Sequence, residues 1–222
     1  MLIAFISDIH SNLEALKAVL NRIKSLKIKQ VFCLGDLVGY GASPKEVIKL
    51  MEKIPCIKGN HDYAVVSGDT SWFNPLATQA ILKNKEMLSK NEIKFLDSLK
   101  EKIEVSFNSK RFLLVHGSPK NPVWEYVYES QVDENFFGEY DVIIMGHTHV
   151  PFIKKIKEKI AINCGSVGQP RDYDRRACFV IFDTEEFKGK IIRVEYEIEK
   201  AAEKIIRAGL PEFLAERLFL GI

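Results

Sequence analysis

The chain has 222 residues, 46% of them hydrophobic, enough for one domain with a substantial core. Its 32 basic and 30 acidic residues leave a formal net charge of +2, which excludes a globally basic nucleic-acid-binding surface and leaves room only for a local patch. No apolar run of about 18 residues is present, so no transmembrane helix is expected. Met1–Ile6 lacks the length and basic start of a signal segment, and a cytoplasmic protein is expected.

Leu2–Ser7 is a continuous apolar run, the pattern of a strand buried on both faces, and it ends at Asp8-Ile9-His10. Asn12 is placed to cap a helix in which Leu13, Leu16, Val19, Leu20 and Ile23 recur at helical spacing. Gln30–Leu34 predicts a second strand, ending at Gly35-Asp36. Ser43-Pro44 starts a second helix with Val47, Ile48, Leu50 and Met51 as its stripe. Ile54–Lys58 predicts a third short strand, ending at Gly59-Asn60-His61-Asp62. Three strands thus deliver three motifs to one edge, where ligand sites form in open α/β sheets.

Residues 63–100 read as a helical insertion: Asn74-Pro75 opens a helix to about Leu88, and another runs from about Lys90 to Leu99. Glu101–Phe107 and Arg111–Val115 form a hairpin around Asn108-Ser109-Lys110 and deliver His116. A loop rich in proline and aromatic residues follows, Ser118 to Tyr128, and Asp141–Met145 predicts a strand delivering His147 and His149. Phe152–Ile156 with Ile160–Asn163, and Ala177–Phe182 with Lys190–Tyr196, suggest two further hairpins. Lys154, Lys155, Lys157 and Lys159 fit a solvated hairpin surface. Glu199–Ala208 and Pro211–Leu220 read as two amphipathic helices, and 1–222 as a single domain.

All five histidines fall in short motifs beside Gly, Asp or Asn, each after a strand-like run. Loops at strand ends are where chemistry is usually placed. Together with Asp8, Asp36 and Asn60 these histidines make a nitrogen and oxygen ligand set large enough for two divalent metals. The four cysteines, Cys33, Cys56, Cys164 and Cys178, form no Cys-x-x-Cys pair and read as small buried thiols.

The ordered set Asp8-x-His10, Gly35-Asp36, Gly59-Asn60-His61-Asp62, His116 and Gly146-His147-x-His149 resembles the calcineurin-like metallophosphoesterases. Asn163-Cys164-Gly165-Ser166-Val167-Gly168-Gln169-Pro170-Arg171 is similar to a signature of their small bacterial and archaeal branch. The resemblance spans roughly residues 1–175 and implies an α/β/β/α sandwich, two packed β-sheets flanked by helices. It implies one metal held by Asp8, His10, Asp36 and His149 and another by Asp36, Asn60, His116 and His147, with Asp36 bridging. It implies hydrolysis of phosphate esters by a hydroxide shared between the metals, with His61 as general acid and Asp62 supporting its imidazolium form. The chemistry agrees, since two metals about 3.5–4 Å apart clamp an in-line phosphoryl displacement. Manganese is the first expectation for the two divalent ions, and iron, zinc, nickel and cobalt also suit the ligands.

Relatives that act on phosphoproteins or diadenosine tetraphosphate carry a phosphate-binding Arg late in the Gly-Asp motif, where this chain has Tyr40. Tyr40 offers a hydroxyl but no cationic fork, which weakens both of those substrates. Arg171 is expected to take the phosphate role, or else to pair with Asp172 or Asp174. Asn12 and Tyr40 join it as candidate substrate contacts. Cys164 stands where the signature has proline, a change that loosens the loop or adds a redox-sensitive thiol and removes no ligand. Trp124, Tyr126 and Tyr128 are expected to pack on their own domain, with a nucleobase-stacking wall as the alternative. Trp72 and Phe73 carry the parallel alternatives of packing or a lid.

The expected partner is a small phosphate ester or nucleotide-like substrate, a monoester or a diester, with no membrane, no strong nucleic-acid signal and no specified oligomer. A scaffold with vestigial metal sites is the competing class. It fits poorly, because such relatives lose His61 or a ligand and this chain keeps the full set.

Overall fold

A computed structural model describes residues 1–222. Strand β1 (Leu2–Ile6) leads into α1 (Leu13–Ser25), and β2 (Gln30–Cys33) into α2 (Pro44–Met51). Three helices follow: α3 (Asn60–Ser67), α4 (Pro75–Met87) and α5 (Lys90–Ser98). Then come β3 (Lys102–Phe107), β4 (Lys110–Val115), β5 (Val142–Met145), β6 (Phe152–Ile156), β7 (Lys159–Asn163), β8 (Ala177–Asp183) and β9 (Lys188–Val194). Helices α6 (Ile198–Arg207) and α7 (Phe213–Leu220) close the chain. No helix is long and apolar enough to cross a membrane.

The strands form two mixed sheets, one ordered β2-β1-β8-β9 and one ordered β3-β4-β5-β7-β6. In the first, β1 and β2 run parallel with Ile3 opposite Gln30. In the second, β4, β5 and β7 run parallel. The sheets bury their facing sides against each other through Ile3, Phe5, Phe32, Phe112, Leu114, Ile144 and Phe182. Successive side chains alternate faces, so Ala4 and Ile6 of β1 point the other way, into a cluster with Leu16 and Val19 of α1. Each such aliphatic or aromatic side chain contributes about 1.5–3 kcal/mol on burial.

The outer face of the second sheet, Leu113, Val115, Ile143 and Met145, is covered by Val127, Val132 and Phe137. Its helical cover consists only of the short 3-10 turns Glu129–Gln131 and Glu134–Phe137. Beside the first βα unit, α6 and α7 pack around Tyr40 through Ala201, Ile205, Leu214 and Leu218. Lys204 of α6 pairs with the buried Glu14 of α1 at 2.6 Å, tying the C-terminal helices to the first βα unit.

Two expectations change. Ile54–Lys58 is not a strand but makes single bridges, Cys33 with Cys56 and Ile57 with Lys100. Pro55 has no N–H for a ladder, and its carbonyl accepts from Cys33 N instead. Asn60, His61 and Asp62 lie not in a loop but in the first turn of α3, a helix that the polar motif conceals. The four cysteines are free and buried, as expected.

Candidate metal centre

Parallel pairing brings the carboxyl ends of β1, β2, β4 and β5 to one edge where the two sheets meet. The loops leaving them carry Asp8 and His10, Asp36, His116, and His147 and His149. Asp8 crosses between the sheets, since its Oδ2 accepts from His147 N at 3.0 Å. The Asn163–Arg171 stretch latches the same junction: Ser166 Oγ donates to the Asp8 carbonyl, and Asn163 Nδ2 to the Gly146 carbonyl. Asp8, His10, Asp36, Tyr40, His147 and His149 all have φ between 48° and 67°. Non-glycine residues seldom adopt this left-handed conformation, which costs about 1–3 kcal/mol each and collects at functional sites.

Four imidazoles share one arrangement. His10 Nδ1 donates to the Val38 carbonyl at 3.1 Å, His149 Nδ1 to Gln169 at 2.5 Å, His116 Nδ1 to Leu34 at 2.8 Å, and His147 Nε2 to Trp124 at 3.3 Å. A carbonyl can only accept, so that nitrogen keeps its proton and the other turns inward toward the carboxylates. His10 Nε2 and His149 Nε2 then face each other at 2.9 Å, and His116 Nε2 faces His147 Nδ1 at 3.1 Å. Burial holds His10 and His149 below the ordinary histidine range and pushes His147 down to about 3. Ring nitrogens this close need a cation between them, either a proton or a metal ion.

The carboxylates complete two sets. Asp8, His10 and His149 gather within metal-ligand reach of one another, and so do Asp36, His116 and His147. Asp36 Oδ2 lies between them, 3.6 Å from His10 Nε2 and 3.4 Å from His116 Nε2. Asn60 Oδ1 is 3.1 Å from His116 Nε2. Asp8 Oδ1 is buried with no hydrogen-bond partner, 3.3 Å from His149 Nε2. Burial pushes Asp36 up, but His116, His61 and His10 together outweigh it and hold the carboxyl well below its usual range. The carboxylates of Asp36 and Asp8 in turn overcome burial and lift His116 to about 9. The negative charge that holds a proton there attracts a divalent cation equally well. An orphaned carboxylate oxygen, inward-facing imidazole nitrogens and a shared carboxylate make a donor set able to bind metal.

His61 is held differently. Its Nδ1 is buried without a partner, which leaves Nε2 as the nitrogen open to solvent. It also lies within ligand reach of His10 and Asp36, but no carbonyl fixes its tautomer. Gly39 (φ +95°) backs the ring, and a Cβ there would collide with His61 Nδ1. Burial pushes His61 down to about 4.

Asp62 does not support the His61 imidazolium, contrary to expectation. Its carboxylate accepts from the backbone N–H groups of Asp36, Leu37, Val38 and Gly59. It is a positioning residue that pins the Gly-Asp loop to the start of α3, although burial pushes its pKa up to about 7.

Asn12 caps α1, its Oδ1 accepting from Ala15 N while Nδ2 donates to the Gly168 carbonyl, so both polar ends serve structure. Tyr40 packs against His10 and His61, with ring centroids at 4.7 and 4.6 Å. Arg171 pairs with neither neighbouring carboxylate, because Arg193 takes Asp172 and Arg176 takes Asp174. Its guanidinium bonds Gln169 and lies 5.5 Å from the Tyr40 ring centroid.

Arg217 of α7, which the sequence reading missed, lies 5.8 Å from the same centroid. Burial and then the charge of Arg171 push it down to about 10. Its basic position on an amphipathic helix carried no signal of where that helix docks. Cys164 is fully buried and its thiol is pushed well up by burial, which leaves an inert core residue and no redox-sensitive one.

Beside His61 opens a cleft of about 560 Å³ lined by aromatic residues. Trp124 and Tyr126 line it, whereas Tyr128 does not and lies half exposed.

A model of the calcineurin-like phosphoesterase superfamily domain matches residues 1–187. The chain is 46% identical over 239 aligned positions to an uncharacterized protein of Methanocaldococcus jannaschii, covering 99% of this chain and 98% of the relative. The structure is similar to that of a metallophosphoesterase from Sphaerobacter thermophilus, with a TM-score of 0.86, 34% identity and coverage of 100% and 99% of the two chains. A hypothetical protein from Pyrococcus horikoshii shares the fold, with a TM-score of 0.91 at 22% identity and coverage of 100% and 98%.

Proposed function

The chain belongs to the calcineurin-like phosphoesterase superfamily and is a phosphoesterase, and on that premise we propose that it hydrolyses small phosphate esters at a dinuclear metal site. The observation that carries this reading is Asp36 Oδ2 standing between two ligand sets whose inner imidazole nitrogens face each other. Asp8, His10, Asp36 and His149 would hold one ion; Asp36, Asn60, His116 and His147 would hold the other. Two divalent ions there, with manganese first among the candidates, would supply charge neutralisation for the phosphate and activation of water. A water oxygen adding in line to phosphorus would form the new P–O bond as the ester bond to the leaving oxygen breaks.

His61 serves that oxygen. Nε2 faces the cleft, and an anionic phosphate beside it supplies the negative charge that favours the imidazolium against burial. The proton passes from Nε2 to the leaving oxygen as the bond breaks. Arg171 and Arg217 hold the remaining phosphate charge from the Tyr40 side.

The test is metal content and turnover together. Protein reconstituted with manganese binds close to two equivalents, and Asp36→Asn impairs both sites because one carboxylate serves both. Two tightly held ions in that variant would overturn the bridging role. A panel of phosphate monoesters and diesters with manganese, nickel, cobalt, zinc and magnesium reads the activity, and absence of turnover with every metal would overturn the function.

A further inference from the structure

We propose that the aromatic cleft beside His61 is the leaving-group subsite and that the group it takes is a nucleoside; this rests on the reading of His61 as the acid. The acid must reach the leaving oxygen, so whatever departs lies on the side that His61 faces. That side is the cleft of about 560 Å³, within the common range for small-molecule sites, about 300–1,000 Å³.

The walls are π surfaces. Phe73 stands edge-on to His61 with centroids at 4.8 Å, and Trp124 edge-on to Phe73 at 6.0 Å. Tyr126 lies flat against His147 at 3.8 Å. Trp72 is 83% exposed at the cleft, a large aromatic surface left in water with no aromatic partner of its own. Such surfaces suit a flat ring, and base–aromatic stacking tolerates any base because every base has a π face.

Polar groups among these walls point to a heterocycle. Asn74 and Asn121 spend their side-chain oxygens on Ala77 N and Trp124 N, so the cleft keeps their amide N–H₂ donors. Those donors match the ring nitrogens and carbonyls of a base edge. No lysine, arginine, aspartate or glutamate lines the cleft, so a leaving group with further phosphates finds no counter-charge there. The loop after β4 and the start of α4, which the sequence allows to be mere packing, converge on one binding surface.

The experiment titrates the intact protein with adenosine and with uridine, which carry no phosphate, and follows tryptophan fluorescence. It then compares kcat/KM, with manganese, for AMP and UMP against ribose 5-phosphate, the same ester without its base. Saturable quenching and a preference for the nucleotides of about 5–150-fold, the range for one stacked base, are expected. Trp72→Ala removes an exposed side chain without opening a cavity, and Trp124→Ala removes a wall; both lower the nucleotide-to-ribose-phosphate ratio. Equal kcat/KM for nucleotides and ribose 5-phosphate, no quenching by either nucleoside, or phenyl phosphate preferred over both nucleotides would each overturn the nucleoside assignment. Absence of turnover on every ester defeats the phosphoesterase reading instead, and the fluorescence titration still decides what the cleft binds.

Discussion

His61 is the one histidine of the site with no backbone carbonyl behind it, which sets it apart from the four ligand candidates. His61→Ala is therefore expected to retain both metals and lose about 10²–10⁴-fold in kcat, the usual range for general acid catalysis. The loss shrinks for p-nitrophenyl phosphate, whose leaving group needs no proton. A variant that loses metal, or is equally slow on every ester, would show that His61 is a ligand. Arg171 lies over the Tyr40 ring, a guanidinium without a carboxylate partner, with a second one from Arg217 at the same ring. Arg171→Ala should cost about 10–150-fold in kcat/KM, from losing charge-assisted hydrogen bonds of about 1.5–3 kcal/mol. Arg171→Lys should already be impaired, because an ammonium lacks the planar fork. Kinetics within about twofold of wild type would remove Arg171 from the site. With Tyr40 in place of arginine, phosphoproteins and diadenosine tetraphosphate should be poor substrates, and efficient cleavage of either would count against that argument.

At the scale of elements, α3 matters more than its length suggests. Its first turn presents Asn60 and His61 to the centre, and Asp62 binds that turn to the loop after β2 through four backbone N–H groups. Removing a fully buried acceptor leaves those donors without partners. Asp62→Ala is expected to cost about 3 kcal/mol or more, lowering Tm by roughly 6–12 °C for a chain of this size. Asp62→Asn keeps one acceptor oxygen and should fall between, with metal binding weakened in step with stability. An unchanged Tm for Asp62→Ala would mean that the loop is held by other contacts. The C-terminal helices pack against Tyr40 and tie to α1 through the Lys204–Glu14 pair, so a segment outside the family match backs a residue that contacts His10 and His61.

For the whole molecule, the buried imidazoles set how stability responds to pH when a chelator is present. Burial holds His10, His61, His147 and His149 below the ordinary value, His61 at about 4 and His147 at about 3. The folded state then binds fewer protons than the unfolded one, so stability declines as pH falls below about 6.5 toward those values. His116 works in the other direction. Asp36 and Asp8 outweigh burial and lift it to about 9, so its contribution is full below about 6.5 and disappears as pH rises to about 9. Thermal melts in chelator should show a maximum near pH 6.5, with the steeper loss on the acid side. A Tm that climbs steadily from pH 6.5 to 9 would refute the assignment of His116.

The sequence alone determined the order of strands and helices and the family-like spacing of Asp8, His10, Asp36, Asn60, His116, His147 and His149, because those signals are local. An apolar run reports a strand, and a glycine beside a polar residue reports the turn at its end. It did not reveal that Ile54–Lys58 makes only bridges or that α3 begins inside a metal motif. Ladder pairing at Pro55 and the capping of α3 by Asp62 depend on which backbone groups lie nearby in space. It placed Asp62 behind His61 and left Arg171 between a phosphate and a salt bridge, whereas packing gave Asp62 to four backbone amides and gave Asp172 and Asp174 to other arginines. It could not place Arg217 at Tyr40 or gather Phe73, Trp124 and Tyr126 around one cleft. Those residues come from distant parts of the chain, and only the stacking of two sheets, the packing of α4 on α3 and of α7 on α6 decides which side chains share a volume.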